Sequence, residues 1–245
     1  MAKIIRLGSL YFNSKAQKPG TSYYEKDGSI TIRNTIKSKA ISWLPLDRML
    51  VAQRCVCTNA SWNQLDENGL IKGTITKIDG RDYLCRSLVT EPNAIFRSEW
   101  DRFVDKYEES GVDIQWKIYT IGQEISKDRG IPGLMDMCFV RGYLSSRYNS
   151  LVGTSIQHHG TGFRPVLEPV LPATGDLSPF IGKDIILLGP NMEHIKGVLT
   201  GFSDYDIELD LPLGLPADCS WAVGKGPAVI TRSFTPWMID EANLC

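Results

Sequence analysis

Residues 168–179, Glu-Pro-Val-Leu-Pro-Ala-Thr-Gly-Asp-Leu-Ser-Pro, hold three prolines and a glycine, and neither a helix nor a central strand runs readily through such a segment. The 245-residue chain is thereby divided, and the sequence places one domain over about 1–172 and a second over about 177–245. Charge divides with it. Residues 1–90 carry 14 Lys and Arg against 7 Asp and Glu, residues 91–170 carry 9 against 11, and residues 171–245 carry 4 against 10. Two solvated surfaces of different composition explain such a gradient; so does a basic N-terminal face that meets an anion or the acidic end of a neighbouring subunit. The net charge of −1 excludes a globally basic nucleic-acid binder. With 42% apolar residues the chain is globular rather than disordered, and no run approaches the ~18 apolar residues of a membrane span.

Cysteines stand at 55, 57, 85, 138, 219 and 245, in hydrophobic, strand-like runs of a chain long enough to need no disulfide. The Cys55-Val-Cys57 spacing puts both thiols on one strand face and is wrong for a zinc knuckle. Met1-Ala-Lys-Ile-Ile-Arg lacks the apolar core of a signal peptide. Free, mostly buried thiols in a reducing intracellular compartment are therefore expected.

In the first domain, residues 4–7, 29–33 and 49–57 read as β-branched strands, and residues 74–88 as a hairpin turning at Asp79-Gly80. One helix follows. Ser98 caps it, Glu99 and Asp101 suit its positive end, Trp100, Phe103, Val104 and Tyr107 mark one face, and Gly111 stops it. Beyond Gly111 the pattern loosens into a stretch rich in Gly, Ser, Tyr and Arg that ends in a short strand at 162–168. The second domain reads as strands over 181–188, 194–202, 206–211 and 228–232. The expected fold class is α+β: a mixed domain followed by a small all-β barrel.

The segment Cys138-Phe-Val-Arg-Gly-Tyr-Leu-Ser-Ser-Arg-Tyr-Asn-Ser150, followed by Gly162-Phe-Arg-Pro-Val-Leu167, resembles the end of a known domain type. C-type-lectin-like domains of the formylglycine-generating-enzyme and variable-protein kind close with an Arg-Gly turn, a loop bearing further Arg, and a Gly-Phe-Arg strand. The resemblance spans roughly residues 75–170 and looks like domains of Gram-positive bacteria and their phages. It implies a C-type-lectin-like first domain whose segment before the last strand is an exposed binding surface. That places Tyr143, Arg147, Tyr148, His158 and His159 near a ligand. The reactive cysteine pair of the formylglycine-generating enzymes is missing, with Cys138 alone in that region, so their chemistry is not expected. Glu91-Pro92-Asn93 copies a tripeptide with which lectins hold calcium and sugar, but it precedes the helix and reads as a loop turn. In the second domain, residues 194–210 are similar to the strand-bend-strand core of Sm-like and SH3-like barrels. Asp204, Asp206, Glu208 and Asp210 stand where RNA-binding Sm-like proteins carry Asn and basic groups, so nucleic acid is disfavoured and docking or self-assembly fits better.

Arg141 and Arg164 are expected to tie loops together through backbone carbonyls, for which a guanidinium's fork of donors is suited. Arg147 lies among the Tyr, Ser, Gly and Asn typical of adaptable loops and is expected at the surface with a ligand contact. Adjacent His158 and His159 on an extended segment point to opposite faces; they are a solvated pair or a ligand-facing pair, and a poor metal site. No nucleophile elbow, phosphate-cradling glycine loop, dinucleotide fingerprint or zinc-protease motif is present. The sequence thus predicts a non-enzymatic ligand-binding protein of phage or mobile-element type, without cofactor or metal, in the cytoplasm of a bacterial host or in the virion. Its partner would be a small anionic ligand, such as a nucleotide signal, or a protein, with no membrane and with homo-oligomers formed. The alternatives are a virion or surface protein recognising protein or sugar, and a hydrolase using His158 or His159.

Overall fold

The computed structural model describes residues 4–90, 98–126, 136–189, 194–211, 221–223, 227–235 and 237–240. Glu91-Pro92-Asn93, Cys219 and Cys245 lie outside the described residues. The chain forms two compact units, residues 1–167 and 168–245.

The first unit opens with β1 (Ile5–Phe12) and β2 (Lys15–Gln17), joined by the turn Asn13-Ser14. Next come β3 (Thr21–Ser22), β4 (Ile30–Arg33), β5 (Ala40–Leu46), β6 (Met49–Ala52) and β7 (Cys57–Thr58). A short helix, α1 (Trp62–Glu67), precedes the hairpin of β8 (Thr74–Ile78) and β9 (Arg81–Ser87). After α2 (Glu99–Glu108) come β10 (Tyr119–Ile125), β11 (Met137–Arg141), β12 (Asn149–Gly153), β13 (Thr161–Phe163) and β14 (Pro165–Pro169).

These strands make two sheets. One runs β2-β1-β5-β6-β14-β9-β8, with β4 also on β1; the other runs β12-β11-β10-β13-β7-β3. The central strands of the first sheet are buried on both faces. In β5, Ile41 and Trp43 enter one apolar cluster and Leu44 and Leu46 the other, the two-residue period of a strand between two layers. The second cluster is the floor for α2, whose Trp100, Phe103, Val104 and Tyr107 are all buried. Each such side chain contributes roughly 1.5–3 kcal/mol of burial.

The second unit comprises β15 (Leu171–Pro172), β16 (Asp184–Leu188), β17 (His194–Phe202), β18 (Asp206–Asp210), β19 (Ala222–Val223), β20 (Ala228–Thr231) and β21 (Trp237–Asp240). They pair antiparallel in the order β15-β21-β16-β17-β18-β20-β19. In β18, Ile207 and Leu209 point into the core while Glu208 and Asp210 are exposed. The acidic residues of this strand are thus its wet face.

The expected α+β class is corrected: strand takes 48% and helix 14%, with two α-helices among the described residues, so the protein is mostly β. The difference arises beyond Gly111, where the stretch that reads as loose is folded into β10, β11 and β12 around short loops. The closing strand is also two strands. At Arg164 the chain leaves the second sheet after β13 and enters the first as β14. The expected small barrel is a seven-stranded sheet whose pairing does not return on itself among the described residues. No helix among the described residues is long and apolar enough to cross a membrane.

Candidate functional site

The loop between β11 and β12 is built on a glycine. Gly142 has φ 93°, and a Cβ there would stand 2.6 Å from the Trp116 carbonyl oxygen, so no other residue fits. The Gly142 amide donates to the Tyr148 carbonyl at 2.9 Å, closing the loop, and the Tyr143 amide donates to the Trp116 carbonyl at 2.7 Å. Between these bonds Tyr143 is held at φ 73°, unusual for a bulky residue. Its ring stacks on Tyr119 with centroids 4.8 Å apart and planes at 24°. Tyr148 lies against the same ring at 6.2 Å and 40°.

Tyr119 is the first residue of β10, anchored by its amide donating to the Gly160 carbonyl at 2.7 Å. Burial first, then Tyr148 and Tyr143, push its phenol above the ordinary value. Gly160 carries the surface on to the histidines. Its amide donates to His158 Nδ1 at 2.9 Å, and a Cβ on it would lie 3.7 Å from the Tyr143 ring. Tyr143 (45% exposed) and Tyr148 (37%) therefore share one solvent-facing surface with Tyr119 and His158.

Of the five residues expected near a ligand, Tyr143, Tyr148 and His158 come together there. His159 is exposed in the turn that follows. Arg147 points into a carboxylate pair on α2, with Asp105 at 2.9 Å and Glu108 at 3.1 Å, so part of its donor fork is occupied. The hydrogen bond to Asp105, foremost, raises its pKa further. Its neighbour Ser146 donates to Glu108 at 2.7 Å, and the Ser146 carbonyl accepts from the Trp100 indole at 2.7 Å. The loop is thereby fastened to α2.

Arg141 is buried and ion-paired with Asp101 at the start of α2. Arg164 is fully buried and meets no carboxylate among the described residues. Its Nε donates to Thr120 Oγ1 at 3.0 Å. One terminal nitrogen donates to the carbonyls of Ala52 at 2.9 Å, Gln53 at 2.6 Å and Ile114 at 3.0 Å, and the other to Gln115 at 3.1 Å. The faces of Trp100 and Phe103 lie 5.3 and 5.9 Å from its guanidinium carbon. The cation thus stitches β6, the loop before β10 and α2 to the point where the chain changes sheets.

Sequence reasoning did not single out Tyr119. The alternating, β-branched run Ile118-Tyr-Thr-Ile is the signal that would have marked a strand there and placed its first aromatic residue at a strand end. No group of three or more His, Cys, Asp or Glu side chains among the described residues is arranged to hold a metal ion. No carboxylate is hydrogen-bonded or ion-paired to His158 or His159 among the described residues. Aromatic faces, phenol hydroxyls and an imidazole equip this surface for stacking and hydrogen bonding. Comparison with protein-family models, curated proteins and solved structures finds no match to the chain.

Proposed function

We propose that the chain is a ligand-binding protein without catalysis, of phage or mobile-element type, and that the surface of Tyr119, Tyr143 and Tyr148 takes the ring of a small anionic molecule such as a nucleotide. The observation that carries this reading is Tyr143, a large aromatic residue held at positive φ and left 45% exposed. Backbone strain of this kind clusters at binding sites, because a well-packed surrounding must maintain it. Stacked Tyr119 braces the ring from below, so little side-chain freedom is lost when a ligand stacks above it. The anionic character is supported by the first unit's 23 Lys and Arg against 17 Asp and Glu. A hydrolase built on His158 or His159 has less support, since each lacks an orienting carboxylate among the described residues.

A second reading is favoured by Leu144 (63% exposed), Leu151 (40%) and Ile156 (40%), which lie close in sequence to the tyrosines and suit a protein partner. Calorimetric titration of the full chain with adenosine separates the two. Saturable binding that falls about tenfold in Tyr148→Ala supports the ring-binding reading, because one stacked base is worth roughly 1–3 kcal/mol. Absence of binding by adenosine and AMP, with a protein retained by these same side chains, would favour the second. Turnover of a ligand that vanishes in His158→Ala would overturn the non-enzymatic reading.

A further inference from the structure

A cavity of about 690 Å³ opens beside the β1–β2 hairpin, between the turn Asn13-Ser14 and the segment 21–27. That volume is in the range of small-molecule sites, roughly 300–1,000 Å³. Its polar groups are unequally used. The acceptors are largely spent within the protein: Asn13 Oδ1 accepts from the Ser29 amide at 3.0 Å and hydroxyl at 3.3 Å. Asp27 Oδ2 accepts from the Tyr24 amide at 2.9 Å, and the Lys15 carbonyl from the Gln17 side chain at 3.0 Å.

The Gln17 amide and the Thr21 hydroxyl are also used, donating to the Lys15 and Lys18 carbonyls, but four other donors are not spent. The Lys15 and Lys26 ammonium groups, the Asn13 side-chain nitrogen and the Ser14 hydroxyl have no hydrogen bond or ion pair to another described residue. Lys26 instead lies over the Tyr24 ring, 5.8 Å from its centroid. Two unpaired ammonium groups and two further free donors, set against the single carboxylate of Asp27, are matched by a ligand that brings acceptors and negative charge. Lysine is a point charge with rotatable donors, suited to a tetrahedral anion approached from two sides. Tyr24, 46% exposed, adds an aromatic face for an organic group attached to that anion.

We propose that this cavity binds a phosphorylated small molecule, with the phosphate between Lys15 and Lys26 and the organic part against Tyr24. The site uses none of the residues of the tyrosine surface, so either can fail without the other. The test is calorimetric titration of the full chain at about 0.15 M salt with inorganic phosphate, AMP and adenosine. Inorganic phosphate binding that is lost in Lys15→Gln reports on the cavity, and adenosine binding that is lost in Tyr148→Ala reports on the tyrosine surface.

Phosphate and AMP should bind saturably, and Lys15→Gln and Lys26→Gln should each weaken both by about tenfold, the usual worth of a charge-assisted hydrogen bond. Adenosine should be unaffected by those changes. Lys72→Gln removes the same charge from an exposed position away from the cavity and should leave phosphate binding within about twofold, since screening in salt solution makes remote surface charges weak. Failure of phosphate and AMP to saturate would overturn the proposal. So would equal weakening by Lys72→Gln, or binding of an RNA oligonucleotide through Lys15 and Lys26 with no binding of phosphate or AMP.

Discussion

At Tyr143 a bulky side chain holds a φ of 73°, a conformation that costs an L-residue about 1–2 kcal/mol. Stacking on Tyr119 returns part of that, about 1 kcal/mol for an aromatic pair. Tyr143→Gly should therefore leave the unfolding midpoint nearly unchanged while abolishing adenosine binding; a large loss of stability would make the residue structural. The buried thiols give a second residue-scale test. Burial raises Cys57, Cys85 and Cys138 from 9.0 to about 12, so the folded state keeps protonated thiols that the unfolded chain ionises first. Their contribution to stability is full below pH 9.0 and is lost as pH rises from there toward about 12. Urea unfolding followed across that window should show a steeper decline in the parent than in Cys85→Val. Parallel declines would contradict the burial argument.

At the scale of elements, α2 meets Arg141, Arg147 and Arg164 in different ways. Arg164→Ala removes every donor at the sheet change and orphans buried carbonyls, a loss on the order of 4 kcal/mol in chemical unfolding. Arg147→Ala breaks a largely exposed pair and should cost no more than about 1 kcal/mol. Equal effects would mean that the two roles are misassigned. The elements legible in the sequence are those specified by adjacent residues. Ser98 accepts from the Asp101 amide at 3.1 Å and starts α2 where its cap predicts, and Asp79-Gly80 turns the β8–β9 hairpin with φ of 49° and 87°. α1 was missed although Ser61 and Gln64 form a capping box, a local signal that was there to be read. β11 and β12 were less legible than β10 for a physical reason. Each is five residues long, carries Arg or Gly and Ser, and is defined by its neighbours rather than by its own pattern. The candidate surface was legible in part, as the Tyr143 loop. Tyr119 and Gly160 reach it only through pairing of β10 with β13, which no sequence spacing announces.

At the scale of the whole molecule, the proline-rich stretch and the charge gradient have different standing. The first unit ends at Leu167, and Leu171–Pro172 pair with β21, so the segment of 168–179 begins the second unit. The gradient sharpens when counted by unit, 23 basic against 17 acidic residues in the first and 4 against 11 in the second. On the proposed reading, the first unit's basic surplus would attract anions from a distance, while the tyrosines would supply the close contact. The central claim is that this close contact captures a small molecule, and native mass spectrometry of the full chain purified from bacterial cells tests it most directly. The account predicts an intact chain carrying a small-molecule mass that is released on denaturation and is missing from folded Tyr143→Gly. The bare chain mass in both proteins, or retention of every adduct by the variant, would contradict it.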